Sequence, residues 1–459
     1  MSDAIDRPRA ITGREIALLT GILILAGLNL TVGQSQNGIK EWDEARHGVN
    51  AYEMATSGNW LVTTYGGSPD LWNLKPPLGT WLIAGGMWLG IAPEWALRIP
   101  SIICALLCIP LTMLIGCRLG SVKVGLLAGA MLATCFPFIC LHGGRTGDYD
   151  AQFTCAILAA TYAALRPPTT ATCISTGLAL SAAALLKSFA LLPWGFSVFL
   201  LMIINRRNAV SWLLTFVAFC APVVLWGILR YNQDGGIFLK TMIEVDLIRR
   251  GSTPLETSGW SPFYYLGFLG DRLAPWFPIC VLGGIGAAIA WRHRSASQET
   301  SRSWLILAAA ALPGIILFST AKTHHNWYIY PALPAILIGA AICLTEMFRR
   351  GGSWKWIALL LIAGGLAFQE FRIMKHLPKR EAVSQAELFL RQCPLPVGST
   401  VFLPAAPEPH QWERFVIQAI RGHPVRTCVD LADFKNIASH HDVFLQRSEG
   451  FEYQVIPAN

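Results

Sequence analysis

The sequence predicts an all-helical membrane protein, a polytopic bundle of about eleven transmembrane helices followed by a small C-terminal α/β domain. Hydrophobic residues make up 53% of the 459-residue chain, charged residues only 14%, and the mean hydropathy is +0.45. A soluble globule of this size needs more polar surface than that. Charge-free apolar runs that could cross about 30 Å of hydrocarbon recur along most of the chain. The bilayer is therefore the expected solvent for residues 16–371.

Eleven apolar runs carry the prediction of transmembrane helices. The first run follows three arginines and lacks a small-x-small cleavage site, which indicates a retained signal anchor. The short stretch 76–90 is rich in Gly and Pro and fits an interfacial or re-entrant helix better than a span. Counting such stretches as spans would give about twelve or thirteen. The eleven runs are residues 16–39, 94–115, 124–141, 151–166, 172–186, 190–204, 209–229, 273–290, 304–320, 328–347 and 354–371.

Basic residues between the runs predict the orientation in the membrane. With residues 1–15 in the cytoplasm, the positive-inside rule is met at every predicted cytoplasmic turn. The basic residues placed inside are Arg118, Lys123, Arg166, Arg206, Arg207, Arg292, Arg294, Arg302, Arg349, Arg350 and Lys355. The loops 34–77 and 142–150 and the domain 372–459 then lie outside. The net charge of +8 is spread singly and in pairs, which argues against nucleic-acid binding.

The cysteines and histidines predict no metal site. Ten of the twelve cysteines lie in or beside apolar runs, where a small buried hydrophobe is the expected role. Cys393 and Cys428 fall in the predicted external domain, where either a disulfide or two free thiols is consistent with the sequence. The pairs His324-His325 and His440-His441 have no companion ligands at zinc-like spacing.

Two short acidic loops lie on the predicted external face. In the first, Asp43 and Glu44 follow the end of the first apolar run, with Arg46 beside them. In the second, about ten residues join two apolar runs and hold Arg145, Asp148 and Asp150. Each loop alone could be a solvated turn. Together they can bring two carboxylates to one site, as deprotonation of an acceptor hydroxyl requires.

Cationic residues on the same face could bind phosphate. Arg249 and Arg250 break the positive-inside pattern, and a guanidinium pairs well with phosphate oxygens. Lys75, before Pro76-Pro77, and Lys322 lie close to the predicted interface. The alternative is that each cation is merely solvated or snorkels to the membrane surface.

In order and spacing, five motifs resemble the GT-C glycosyltransferases of the protein-mannosyltransferase and aminoarabinose lipid A transferase type. They are WDEARHGVNAYEMATSGNWLVT, LKPPLGTWL, EWALRIPS, RTGDYDAQFT and YIYPALP with its upstream lysine. The resemblance covers about residues 15–371 and implies a GT-C fold for the membrane domain. Two features depart from the family. His47 stands where a tyrosine is frequent, and Trp260-Ser261-Pro262 replaces a histidine found in aminoarabinose transferases.

The resemblance implies a role for individual residues. Asp43 corresponds to the first-loop acid, with Glu44 beside it, and Lys75 to the lysine that binds the carrier phosphate. The second-loop aspartate matches Asp150 best, with Asp148 a near competitor in the GDYD doublet. The late lysine and tyrosine correspond to Lys322 and Tyr328.

The implied function is inverting transfer of a sugar from a polyprenyl-phosphate donor to an extracytoplasmic acceptor such as lipid A or another surface glycolipid. Asp43 would be the base, the second-loop aspartate would orient the acceptor, and the cations would stabilise the leaving phosphate without a metal ion or cofactor. Arg46 and Arg145 would line the acceptor pocket. The implied location is a bacterial inner membrane. The alternatives are a protein O-mannosyltransferase-like enzyme, a lipid-linked sugar transporter or flippase, and a noncatalytic receptor or assembly subunit. The sequence leaves the sugar and the acceptor open.

Overall fold

The computed structural model describes residues 12–253, 261–293, 297–380, 382–405, 410–447 and 453–458. Most of the predicted cytoplasmic N-terminus and Trp260 therefore lie outside the described residues. The helices are α1 (Gly13–Thr31), α2 (Asp43–Ser57), α3 (Leu78–Trp88), α4 (Pro93–Leu119), α5 (Val122–Ala133), α6 (Phe136–Cys140), α7 (Asp150–Leu165), α8 (Thr170–Lys187), α9 (Leu191–Ile204), α10 (Ala209–Asp234), α11 (Ile237–Met242), α12 (Arg250–Ser252), α13 (Tyr264–Arg272), α14 (Trp276–Arg292), α15 (Gln298–Thr320), α16 (Leu333–Arg350), α17 (Gly352–Arg380), α18 (Gln385–Gln392), α19 (Gln411–Phe415) and α20 (Leu431–Ile437). The strands are β1 (Thr64–Tyr65), β2 (Ser68–Pro69), β3 (Val401–Pro404), β4 (Val425–Cys428), β5 (Val443–Arg447) and β6 (Tyr453–Pro457).

Among the described residues, seven helical segments are long and apolar enough to cross a membrane, or eight if the bent pair α13–α14 is one span. The multi-pass architecture is thus confirmed, whereas the count of eleven stays a prediction. One of the seven segments, Thr170–Ile204, contains a reversal. Just beyond α9, Arg207 Nη1 lies 3.5 Å from Thr172 Oγ1 near the start of α8, so the two helices run antiparallel.

Helix packing places the chain in one bundle with two distinct ends. α8 packs between α7 and α10, α4 packs on α5 and α7, and α16 lies against α5, α14 and α17. At one end, Arg207 Nη2 donates to the carbonyl of Arg166, Arg302 to Asn205 Oδ1, and Ser303 to the carbonyl of Leu119. This end carries the basic residues in the turns after α7 and α9 and on either side of the turn after α4, and the other end carries the acidic loops.

Helices α2 and α3 lie at the acidic end. Helix α3 contains eleven residues, which span about 16 Å, half the hydrocarbon thickness. It packs against α2, α4 and α8, and Gly79 allows the ring of Tyr149 to approach, since a Cβ there would lie 2.5 Å from it. The stretch 76–90 is therefore a short helix that buttresses the acidic loops.

The C-terminal residues form a four-stranded sheet in the order β4-β3-β5-β6, with β5 and β6 antiparallel and the other pairs parallel. Phe402, Phe434 and Phe444 form an aromatic core beneath it. Cys393 and Cys428 are buried free thiols directed at different backbone carbonyls.

This C-terminal unit packs directly on α2. Phe415 lies so close to Gly48 that a Cβ there would be 2.5 Å from the ring. Gln418 donates to Glu53 Oε1 at 3.2 Å, and the backbone of Gln411 donates to Glu41. The C-terminal unit therefore supports the helix that begins with Asp43.

Candidate active site

The first acidic loop brings a carboxylate and an ammonium together. Asp43 is the first residue of α2, where the helix dipole favours a negative charge. Its Oδ1 accepts a 2.9 Å hydrogen bond from Nζ of Lys75, which lies in the loop before α3. Burial by itself would raise the pKa of Asp43, but the positive charge of Lys75 holds that pKa well below its usual range. About a fifth of each side chain is exposed, at 24% for Asp43 and 20% for Lys75.

His47 connects this pair to the second loop. Its Nε2 lies 3.2 Å from Lys75 Nζ and its Nδ1 lies 3.2 Å from the carbonyl oxygen of Gly147. The ring stacks on Tyr149 at 3.8 Å between centroids. Burial, together with the charge of Lys75, lowers the pKa of His47 to about 3. The imidazole is therefore neutral at physiological pH.

The second loop supplies another carboxylate with its own cation. Asp148 Oδ2 accepts a 2.6 Å hydrogen bond from Thr146 and lies 3.2 Å from His142 Nδ1. Among the described residues, Asp148 Oδ1 has no hydrogen-bond partner, although it is buried. Burial opposes the charge on His142, but Asp148 outweighs it and raises the pKa of His142 to about 9. The loop thus presents a carboxylate and an imidazolium side by side.

The two loops meet in one cluster. Ligand atoms of Asp43, His142 and Asp148 all lie within 4.8 Å of one another. With His142 charged, these residues suit an acceptor hydroxyl. A divalent cation could also be held by the two carboxylates and the imidazole, but only if His142 first loses its proton. The paired histidines, which the sequence singles out as the candidate ligands, are not part of this cluster. The histidine in this cluster is instead a single residue of the second loop.

The GDYD doublet separates into two roles. Asp148 faces the cluster with Asp43, whereas Asp150 begins α7 and accepts a 2.6 Å hydrogen bond from Lys187 at the end of α8. Both partners are nearly buried. Asp150 therefore anchors α8 to α7 beside the cluster, and Asp148 is the second-loop carboxylate nearest to Asp43.

Three predicted site residues hold the loops together. Glu44 is buried and accepts hydrogen bonds from Arg98 at 2.8 Å, Gly147 N at 2.9 Å and Lys40 N at 2.8 Å. Arg46 makes a bidentate pair with Asp70, with both distances 2.8 Å. Arg145 is buried and donates to the carbonyl of Asn29 at 2.7 Å. The structure thus places these three side chains in the framework around the cluster.

Of the predicted phosphate ligands other than Lys75, Arg250 and Tyr328 are connected to the cluster through aromatic side chains. Arg250 donates to Asp246 at 2.9 Å and to the hydroxyl of Tyr328 at 3.2 Å. Tyr328 packs edge-on against His325, and Trp327 lies between the rings of His325 and His142 at 4.6 and 3.6 Å. This column of rings joins Arg250 and Tyr328 to the cluster. Arg249 is exposed and Lys322 is half-buried.

The chain is similar to known sugar transferases. Residues 74–226 match a family described as dolichyl-phosphate-mannose-protein mannosyltransferase. A relative from Erwinia tasmaniensis, an undecaprenyl phosphate-alpha-4-amino-4-deoxy-L-arabinose arabinosyl transferase, is 27% identical over 320 residues, which are 64% of this chain and 54% of that protein. The Pseudomonas aeruginosa protein of the same name is 26% identical over 394 residues, 80% of this chain and 67% of that protein. The chain thus spans about half the length of the Erwinia relative.

The solved structures agree with this similarity. ArnT from Cupriavidus metallidurans bound to undecaprenyl phosphate superposes with a TM-score of 0.69 at 17% identity, covering 91% of this chain and 86% of that one. The archaeal oligosaccharyltransferase AglB from Archaeoglobus fulgidus gives 0.57 at 11% identity, covering 90% and 64%. The fold is that of the GT-C glycosyltransferases. The resemblance indicated by the motifs is confirmed.

Within this GT-C fold, sequence reasoning missed four residues that line or support the cluster. They are His47, His142, Trp327 and Lys187. His47 and His142 are each the single histidine of an acidic loop, which could have drawn attention to them. Lys187 is a lone lysine between two apolar runs, where an unpaired charge is costly and a carboxylate partner is expected.

Proposed function

We propose that this protein is an integral-membrane glycosyltransferase that moves a sugar from a polyprenyl-phosphate donor to a hydroxyl of a membrane glycolipid such as lipid A. The observation that supports it most directly is the Asp43–Lys75 contact beside Asp148 and His142. One carboxylate faces one ammonium, and each side chain keeps some exposure. Such a pair can serve both halves of a displacement, the acceptor proton and the leaving phosphate.

The reaction is a single inverting displacement. The acceptor oxygen attacks the anomeric carbon, the bond from that carbon to the phosphate oxygen breaks, and the polyprenyl phosphate leaves with the electron pair. Asp43, which stays ionised, accepts the acceptor proton through Oδ2, an oxygen without a hydrogen-bond partner among the described residues. Asp148 orients the same hydroxyl through Oδ1, and Asp150 holds the wall behind it.

Charge on the leaving phosphate is stabilised by cations already in the fold. Lys75 supplies an ammonium at the cluster, and Arg250 with Tyr328 supplies donors behind the ring column. Arg249, next to Arg250, and Lys322, three residues before His325, add positive charge on the same side of the bundle. We propose that these groups suffice without a metal ion. The competing role for Asp43, His142 and Asp148 is to hold a divalent cation, which a chelator would remove.

In this proposal the acidic end of the bundle faces the periplasm of a bacterial inner membrane. The basic turns after α4, α7 and α9 then lie in the cytoplasm, in accord with the positive-inside rule. The donor lipid enters sideways from the bilayer, since the cluster lies at the ends of apolar helices.

The test is sugar transfer by purified protein from a panel of undecaprenyl-phosphate sugars to lipid A and to peptide acceptors, with and without a chelator. Wild type should transfer to the glycolipid with inversion, Asp43→Asn should not, and the chelator should have no effect. Transfer to peptide alone would favour a protein O-mannosyltransferase, a reading supported by the matched family. If no donor supports transfer, the proposal that the protein is a glycosyltransferase is wrong, and a lipid-linked sugar transporter is favoured. Loss of activity with the chelator would overturn the metal-free site.

A further inference from the structure

The ammonium of Lys75 is held by two acceptors. Asp43 Oδ1 lies 2.9 Å from Nζ and His47 Nε2 lies 3.2 Å from it. An ammonium carries three donor hydrogens on a flexible stem of four carbons. Two acceptors on the protein therefore leave one hydrogen for a ligand and define its direction.

The tautomer of His47 follows from its other contact. The carbonyl oxygen of Gly147, 3.2 Å from Nδ1, can only accept, so Nδ1 carries the proton and Nε2 presents its lone pair to Lys75. A protonated ring would direct an N–H at the ammonium. The geometry therefore requires the neutral ring.

The partners of His47 are themselves fixed. The amide of Gly147 donates to Glu44 Oε1 at 2.9 Å, and Glu44 is paired with Arg98. The Tyr149 ring lies nearly parallel to the imidazole, and its hydroxyl is 2.9 Å from Thr80 Oγ1. The ring plane and the direction of Nε2 are thus set by the second loop and α3, not by solvent.

We propose that His47 is a positioning residue that orients the Lys75 ammonium toward the donor phosphate. The inference rests on the proposed function and adds a residue to it. Without His47, Lys75 would pair with Asp43 alone, and its remaining hydrogens would lose their fixed direction. His47 also makes the placement of Lys75 depend on the second loop, because its tautomer is set by Gly147.

Three substitutions separate the parts of this role. His47→Gln can place an amide oxygen near Nε2 and keep the acceptor for Lys75. His47→Asn can place an amide N–H near Nδ1 and keep only the bond to Gly147. His47→Phe keeps the ring against Tyr149 and loses both bonds. We expect the Gln variant to have a donor KM near that of wild type. The Asn and Phe variants should raise the donor KM about tenfold and change kcat much less.

A merely structural role gives a different order, because the Phe variant would then match wild type and the Gln variant would be worst. That order would overturn the proposal. His423→Phe is the matched control, since His423 Nδ1 faces the carbonyl of Ser399 at 3.1 Å in the C-terminal unit, and it should leave the donor KM unchanged. If His47→Phe fails to fold, the contrast between Gln and Asn still decides.

Binding of undecaprenyl phosphate to each variant, measured without turnover, separates this proposal from the proposed function. If wild type transfers no sugar, the proposed function fails. The positioning role of His47 is still supported if the Asn and Phe variants bind the lipid phosphate more weakly than the Gln variant does. Equal binding by all four proteins, or none by wild type, overturns it.

Discussion

Asp43 and Glu44 are neighbours in the sequence, but they lie in two different regions at the start of α2. Asp43 points to the cluster, where its side chain is 24% exposed and one oxygen is bound by Lys75. Glu44 points into the bundle, where its oxygens accept from Arg98, Lys40 N and Gly147 N. The carboxylate suited to chemistry is the one that keeps an oxygen for a ligand. The carboxylate with both oxygens occupied joins three segments of the chain.

The largest expected effect comes from removing the carboxylate of Asp43, the neighbour that faces the cluster. Asp43→Asn should lower kcat/KM by about 10³-fold, because an amide cannot accept the acceptor proton. The free energy of unfolding of this variant should differ from that of wild type by less than about 1 kcal/mol, because the ion pair is partly solvated. Transfer assays and thermal unfolding in detergent measure the two. A large loss of stability would place Asp43 with Glu44 in the framework.

The next effect breaks the Glu44 side. Glu44→Gln leaves the buried guanidinium of Arg98 without its counter-charge and should cost about 3 kcal/mol of unfolding free energy. The measurement is a denaturation curve compared with that of Asp43→Asn. If Glu44→Gln is stable but inactive, Glu44 acts in the chemistry, and the contrast between the two neighbours collapses.

A smaller effect decides to which region Asp150 belongs. Lys187→Met removes the partner of Asp150 within the bundle and should cost about 2 kcal/mol, and adding Asp150→Asn should recover part of it. A double-mutant cycle on stability and transfer gives the coupling. Activity retained in the double variant assigns Asp150 to the framework, whereas abolished activity would move it to the side of Asp43.

The smallest effect depends on pH. Burial and the nearby Glu413 raise the pKa of Glu41 to about 7, above that of an unfolded carboxyl near 4.5. Between about pH 4.5 and 7 the folded state therefore binds a proton that the unfolded state has lost. The stability of the protein falls as pH rises through this range, and the loss stays constant above it. Glu41→Gln should raise the melting temperature by about 2 °C at pH 8 and leave it unchanged at pH 4. An equal shift at both values would rule out this titration.

Sequence reasoning was strongest where one physical constraint acts locally. Apolar runs predicted the multi-pass bundle, and the motif order placed Asp43 and Lys75 in one site, where they lie 2.9 Å apart. It could not separate Asp43 from Glu44, because one residue along a helix rotates the side chain by about 100°, and the partner Arg98 is distant in sequence. His142 escaped detection because its place depends on a left-handed backbone turn with φ of 52°.

The contact between Phe415 and Gly48 can form only late in synthesis of the chain. The helix that carries Asp43 is synthesised early, but its cover follows about 370 residues later. At about 5–20 residues per second, α2 waits about 20–70 s before Phe415 exists. By the end of that interval every bundle helix has been synthesised, while one face of α2 is still uncovered. A ribosome that stops between residues 380 and 410 would release a chain that has every bundle helix but lacks Phe415, so its uncovered α2 would be available to chaperones and proteases.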